Sequence, residues 1–116
     1  MTKLTLTFFD TSRGQAMPGI DVELQKIFDG SWKIQSQLHT DINGLVEVLP
    51  DDVEDGLSGY YEATARIGNY FLTAGYVLPT LKFIDVVPIR FGIADPEIET
   101  RIQISVSPYG YSFQAI

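Results

Sequence analysis

The sequence predicts an all-β fold, a sandwich of β-sheets with one short helix. Two observations carry this prediction. About eight segments of five to nine residues alternate between apolar and polar side chains, which is the period of a strand with one buried face. Between the segments stand glycine, proline, asparagine and aspartate, the residues that favour turns. Regularly spaced short strands of this kind are typical of a sandwich, and the sequence contains no internal repeat.

The first four predicted strands occupy residues 3–9, 20–28, 32–38 and 45–49. Asp10 ends the first, and the loop that follows it contains Pro18 and Gly19. Asp29 and Gly30 form a hairpin turn between the second strand and the third. A second turn, at residues 40–44, leads into the fourth strand. This order predicts four strands in hairpin succession.

The remaining predicted strands occupy residues 60–67, 83–93, 97–106 and 111–116. A helix of one or two turns is expected between Asn69, as its cap, and Gly75, as its stop. Pro88 predicts an edge position or a bulge in the sixth strand, because proline cannot donate a hydrogen bond to a neighbouring strand. The last two strands are joined by a turn that contains Pro108 and Gly110, and we expect this end of the chain to be structural and site-forming.

Length and composition indicate one domain over residues 1–116, with 45% hydrophobic and 20% charged residues. The net charge of −7, with only eight scattered lysines and arginines, argues against a nucleic-acid partner. The N-terminal segment alternates and lacks the continuous apolar block of a signal peptide or a membrane anchor. The absence of cysteine agrees with a cytoplasmic location. We therefore expect a cytoplasmic protein without a membrane partner.

An acidic run follows Pro50 and is the only cluster that suggests a cation. Its members are Asp51, Asp52, Glu54 and Asp55. The spacing lacks both the repeated aspartates and the bidentate glutamate of a calcium loop. A solvated loop is the preferred interpretation, and no metal or other cofactor is predicted.

Five motifs, in this order along the chain, resemble the transthyretin and 5-hydroxyisourate hydrolase family. They are FFDTSRG at residues 8–14, Pro18-Gly19, DVEL at 21–24, TDINGLVE at 40–47 and SPYGYS at 107–112. The resemblance implies two four-stranded sheets with a short helix after the fifth strand. It also implies a homotetramer whose central channel, between dimers, holds two small-molecule sites.

The hydrolase branch of that family carries two histidines, an arginine and a terminal Tyr-Arg-Gly-Ser sequence at its site. Aligned on the flanking motifs, these positions fall on Thr7, Arg101, Leu45 and residues 113–116, and every one is replaced. Threonine cannot serve as a base near neutral pH, and arginine stays protonated. The single histidine, His39, stands apart from these motifs and is interpreted as a polar residue near a turn.

Carrying over the lining positions of the hormone-carrier branch predicts a mixed polar and apolar ligand site. Its members are Thr7, Phe9, Leu45, Arg101, Gln103, Ser105, Ser112, Gln114 and Ile116. Strand alternation gives a compatible set, since the members from the first, seventh and eighth predicted strands occupy the faces turned away from the core. A plain solvent face is the alternative interpretation. Thr7, Arg101 and Ser112 are the candidate catalytic residues.

The leading hypothesis is a tetramer that binds a small molecule in its channel and has lost the hydroxyisourate hydrolase site. In this hypothesis the pocket either binds a ligand or catalyses a reaction different from that of the hydrolase. The second hypothesis is a divergent enzyme in which Arg101, Thr7, Ser112 and Gln114 polarise a carbonyl or hold an anion for hydrolysis, isomerisation or cyclisation. A third is a structural oligomer whose channel is vestigial.

Overall fold

The computed structural model describes residues 3–116, and in them two β-sheets enclose the core with one short α-helix at the side. This arrangement confirms the predicted fold class. The elements are β1 (Leu4–Asp10), β2 (Gln15–Ala16), β3 (Asp21–Phe28), β4 (Ser31–His39), β5 (Leu45–Val48), a 3-10 turn (Pro50–Asp52), β6 (Gly59–Arg66), α1 (Gly68–Thr73), β7 (Val86–Ile93), β8 (Thr100–Ser107) and β9 (Gly110–Ala115). Within residues 3–116 no helix is long and apolar enough to cross a membrane.

The first sheet is centred on β1, which pairs with β8 along one edge and with β2 and β5 along the other. The pair β1–β8 is parallel, and β9 continues the sheet beyond β8 in antiparallel orientation. The second sheet has the order β4-β3-β6-β7 and is antiparallel throughout. Pro88 lies in β7, an edge strand, as the sequence predicts.

The predicted hairpin succession of the first four strands is wrong. Of those strands, only β3 and β4 form a hairpin, whereas β1 and β5 belong to the opposite sheet and pair with each other. Turn residues indicate where the chain reverses, but they do not indicate whether the next strand stays in the same sheet. The two-residue β2, which pairs with the end of β1, was also absent from the prediction.

The core lies between the inner faces of the two sheets and follows the predicted alternation. In β1 the inner side chains of Leu4, Leu6 and Phe8 are at most 1% exposed. Ile102 and Ile104 of β8 complete the same layer. Burial of each aliphatic side chain contributes about 1.5–3 kcal/mol, so these strands are held from the inside while their outer side chains remain available.

The carboxylate of Asp10 anchors the end of β1 to the helical region. Asp10 is fully buried and accepts hydrogen bonds from the hydroxyls of Tyr70, at 3.2 Å, and Tyr76, at 3.0 Å. The backbone N–H of Ser12 donates a third, at 2.9 Å. A buried carboxylate is tolerated when hydrogen bonds surround it in this way. The position of the preceding outer residue, Phe9, is fixed as a consequence.

A second buried charge fastens the segment after the 3-10 turn. Lys26 is 3% exposed, and its ammonium donates to the carbonyls of Glu54, at 2.8 Å, and Gly56, at 2.7 Å. Burial lowers the pKa of Lys26. The neighbouring hydroxyl of Tyr61 donates to the carbonyl of Leu57 at 2.6 Å, and burial raises the pKa of Tyr61 to about 12. The acidic side chains of this segment are exposed, as the sequence predicts.

Candidate functional site

The outer face of the first sheet carries all nine residues of the predicted ligand site. Cross-strand partners share a face, and the register places them in rows. One row contains Leu45, Thr7, Gln103 and Gln114, and the next contains Phe9, Ser105 and Ser112. Arg101 opposes Thr5 in the row before, and Ile116 follows β9 with its backbone N–H bonded to the carbonyl of Arg101 at 3.0 Å. The structure thus brings these residues onto one surface.

A hollow of about 340 Å³ lies at one end of this face. Four of the nine predicted residues line it, namely Thr7, Leu45, Arg101 and Ile116. The other five lie further along the face and do not line the hollow. Ser112 is among those five, so the structure does not bring the three candidate catalytic residues into one cavity.

Four further residues line the hollow and were missed by sequence reasoning. They are Lys3, Thr5, Glu47 and Glu99. Strand alternation could have identified them, because residues two positions apart on a strand share a face. Lys3 and Thr5 thus share the face of Thr7, and Glu99 shares that of Arg101. Their contribution depends on the register, in which Thr5 stands between Glu47 and Arg101.

Two ion pairs form the rim of the hollow. The Nζ of Lys3 lies 2.9 Å from Oε1 of Glu47, and the hydrogen bond and charge of that carboxylate raise the pKa of the lysine. The Nε of Arg101 donates to Oε2 of Glu99 at 2.6 Å. This second pair is exposed, and exposed ion pairs are worth only about 0–1 kcal/mol. Both cations remain accessible to a ligand that competes with their carboxylates.

The chemistry of the hollow differs from that of a histidine site. Its groups are two hydroxyls, two cations, two carboxylates and two aliphatic side chains. The carboxylates of Glu47 and Glu99 are its proton acceptors, and each already contacts a cation. The single histidine, His39, lies on the second sheet, where its Nδ1 is 2.6 Å from the carboxylate of Asp21.

No cluster in residues 3–116 combines three histidine, cysteine, aspartate or glutamate side chains in an arrangement suited to a metal ion. Of the acidic side chains near the 3-10 turn, Asp52 accepts a hydrogen bond from the N–H of Leu49 through Oδ2 at 2.8 Å, and Glu54 lies 3.9 Å from the ammonium of Lys33.

Comparison with known proteins identifies the family of the chain. Residues 4–114 match the family model described as the HIUase/Transthyretin family. The "5-hydroxyisourate hydrolase 2" of Rhizobium meliloti (strain 1021) is 33% identical over 110 residues, which cover 95% of this chain and 92% of that protein.

Two solved structures share the fold. An (S)-allantoin synthase aligns with a TM-score of 0.87 and 24% identity over 99% of this chain, which spans only 44% of that protein's length. Sea bream transthyretin in complex with thyroxine aligns with a TM-score of 0.78 and 16% identity, covering 97% of this chain and 93% of that one. At these identities the likeness is one of fold.

Proposed function

The chain belongs to the HIUase/Transthyretin family, and we propose that it forms a homotetramer that binds a small molecule on the outer face of the first sheet, in a channel between dimers. The observation that carries the proposal is the convergence of Thr7, Leu45, Arg101 and Ile116 around one hollow on that face. Such a mixture of apolar surface and a few polar groups suits a small ligand. The solved structure of sea bream transthyretin in complex with thyroxine supports a ligand role for this fold.

Exposed apolar side chains on and after β9 support assembly. Phe113 is 41% exposed and Ile116 is 67% exposed, and β9 is an edge strand of its sheet. An edge strand with apolar side chains invites pairing with another chain. Association of four copies covers this surface and encloses the hollow.

We further propose that the hydroxyisourate hydrolase site is lost. Thr7, Leu45 and Arg101 occupy the positions that the resemblance assigns to the hydrolase's histidines and arginine. Opening a cyclic ureide requires a base that activates water and donors for the developing oxyanion. The lone imidazole, on the second sheet, is in no position to act at the hollow.

A divergent enzyme is the second candidate function, and it has two specific supports. The curated relatives are named as 5-hydroxyisourate hydrolases. In addition, the carboxylates of Glu47 and Glu99 stand beside the hydroxyl of Thr7 and the guanidinium of Arg101 in the hollow. In this version a glutamate accepts a proton and the guanidinium holds the carbonyl oxygen of a cyclic or carbonyl-containing substrate.

Assembly is tested by sedimentation at micromolar concentration. Four chains of 12.9 kDa give a tetramer of about 52 kDa. A monomer throughout that range would remove the channel and the enclosed pocket. Ile116→Asp, which places a charge on the exposed apolar surface, is expected to shift the equilibrium towards smaller species.

Ligand binding and turnover are tested separately. Calorimetric titration with thyroxine and with hydantoin, a simple cyclic ureide, probes the hollow, and Thr7→Phe is expected to abolish whatever binding is found by filling it. Thr64→Phe is the matched control, because Thr64 lies on the outer face of the second sheet. Hydroxyisourate decay, followed by ultraviolet absorbance, is expected to proceed at its uncatalysed rate. Turnover near the typical enzyme rate of about 10 per second that Glu47→Gln or Glu99→Gln abolishes would establish the second candidate instead.

A further inference from the structure

The outer face of the second sheet contains a separate cleft, distant from the hollow on the first sheet. It has a volume of about 360 Å³ and is bounded by Ile27, Trp32, Tyr60, Arg90 and Gly92. Trp32 of β4 opposes Ile27 of β3, and Tyr60 of β6 opposes Gly92 of β7, so all four strands contribute. A cleft built from paired strands is held by the sheet itself and needs no loop to order it.

The ring of Tyr60 lies directly against the backbone of β7, because residue 92 is a glycine. A Cβ atom at Gly92 would stand 2.9 Å from Cε1 and 3.0 Å from Cδ1 of Tyr60, closer than side chains tolerate. Any larger residue would push the ring away. Tyr60 is nevertheless 70% exposed, so its ring lies against β7 and leaves an aromatic face uncovered.

The guanidinium of Arg90 supplies a positive charge in the same cleft. It lies 5.2 Å from the centre of the Trp32 ring, within cation–π range. Its Nε donates to Oε1 of Glu62 at 3.0 Å, which orients the planar group. Among residues 3–116 its two Nη groups have no hydrogen-bond acceptor, and five fixed donors make arginine well suited to a carboxylate.

We propose that this cleft binds a planar aromatic carboxylate. The ring of the ligand stacks on Tyr60 with Trp32 as a side wall, and its carboxylate accepts hydrogen bonds from the Nη groups of Arg90. Tyrosine, tryptophan and arginine are enriched at the residues that contribute most to binding in protein interfaces, and aromatic rings bury a large contact area. Because the cleft lies on the opposite sheet, this site is independent of the proposed channel.

The test uses the indole N–H resonance of Trp32 in a ¹⁵N-labelled sample. Trp32 is the only tryptophan of the chain, so the spectrum contains one such signal and it reports on the cleft. Titration with 2-naphthoate is expected to shift it saturably with a Kd below about 1 mM. 2-Naphthalenemethanol, which keeps the ring and lacks the carboxylate, is expected to bind about tenfold more weakly. Cyclohexanecarboxylate, which lacks the aromatic ring, is expected to give no saturable shift.

Two variants separate the contributions of the charge and the ring. Arg90→Gln, at an exposed position, is expected to bind the acid and the alcohol with equal affinity. Gly92→Ala displaces Tyr60 and is expected to weaken 2-naphthoate at least fivefold. Thr7→Phe, on the first sheet, leaves the titration unchanged. A shift that does not saturate, equal affinity of the wild type for acid and alcohol, or unaltered preference in Arg90→Gln overturns the proposal.

Discussion

Raising the pH above 10 is expected to destabilise the protein through the hydroxyl of Tyr61. That side chain is fully buried, and its O–H donates to the carbonyl of Leu57 at 2.6 Å. Ionisation removes the donor and leaves a charge away from water, which is why burial raises the pKa of Tyr61 to about 12 in the folded protein. In the unfolded chain the pKa returns to its ordinary value of 10.0.

The size of the effect follows from proton linkage. Between the two pKa values the folded state holds a proton that the unfolded state releases, so stability falls as pH rises. The loss amounts to about 1.4 kcal/mol at pH 11 and approaches about 2.7 kcal/mol above pH 12. Below pH 9 this contribution is constant.

Over part of this pH range, the titration of Lys26 changes the stability in the opposite direction. Burial lowers its pKa from the ordinary 10.5, so the unfolded chain binds the lysine proton more readily than the folded protein does. Stability from Lys26 therefore rises as pH increases towards 10.5. A comparison of wild type with Tyr61→Phe removes most of this contribution, because both retain the lysine and its hydrogen bonds to the carbonyls of Glu54 and Gly56.

The assay is urea unfolding of wild type, Tyr61→Phe and Tyr60→Phe at pH 8, 10 and 11. Tyr61→Phe is expected to be less stable at pH 8 by about 1–3 kcal/mol, since it leaves the Leu57 carbonyl without its donor. The difference should narrow by about 1.4 kcal/mol at pH 11. Tyr60→Phe, which removes an exposed hydroxyl, should follow the wild type. A gap between wild type and Tyr61→Phe that is constant with pH would refute the reasoning.

Three further predictions concern the site, the anchor of β1 and the turn before β5. Arg101→Ala is expected to weaken the binding of an anionic ligand in the hollow by about 1.5–3 kcal/mol in calorimetry and to leave the tetramer intact. Glu99→Gln, which frees the guanidinium, should not weaken ligand binding. Asp10→Ala leaves two tyrosine hydroxyls without an acceptor and should lower the free energy of unfolding by about 3 kcal/mol; unchanged urea stability would contradict this. Gly44 has φ +74°, and a Cβ atom there would lie 2.5 Å from the carbonyl oxygen of Phe8. Gly30 has a similar φ of +82° but open space around it, so Gly30→Ala is expected to lower the free energy of unfolding by about 1–2 kcal/mol. Gly44→Ala should lower it by more. Equal midpoints for the two glycine variants would rule out the clash.

Strand alternation was sufficient to assign faces, as Thr7 and Arg101 illustrate. Both side chains point away from the core because they alternate with apolar residues that face it, Leu6 and Phe8 on either side of Thr7 and Ile102 after Arg101. This pattern is local. The alternation does not indicate which strand pairs with which in the sheet. The parallel pairing of β1 with β8 joins segments more than ninety residues apart, and no turn signal predicts it.

The same limit explains the missed members of the hollow. Glu47 belongs to the site because β5 pairs with β1 and brings it beside Lys3. Glu99 belongs to it because it directly precedes β8 and pairs with Arg101. A lone glutamate on a strand is ordinary in sequence. The family resemblance assigns a lining position to Leu45, the first residue of β5, and none to Glu47, although both lie in the motif at residues 40–47.

The alternation of β1 and β8 also bears on how this protein can acquire new chemistry. Inner residues such as Leu6 and Ile104 maintain the packing, while Thr7 and Gln103, one position along each strand, contact mainly the outer face. A substitution at an outer position therefore alters the surface of the first sheet at little cost to folding, and a substitution at an inner one does the reverse. The surface chemistry of this face can change through positions such as Thr7 and Gln103 without compensating changes in the interior.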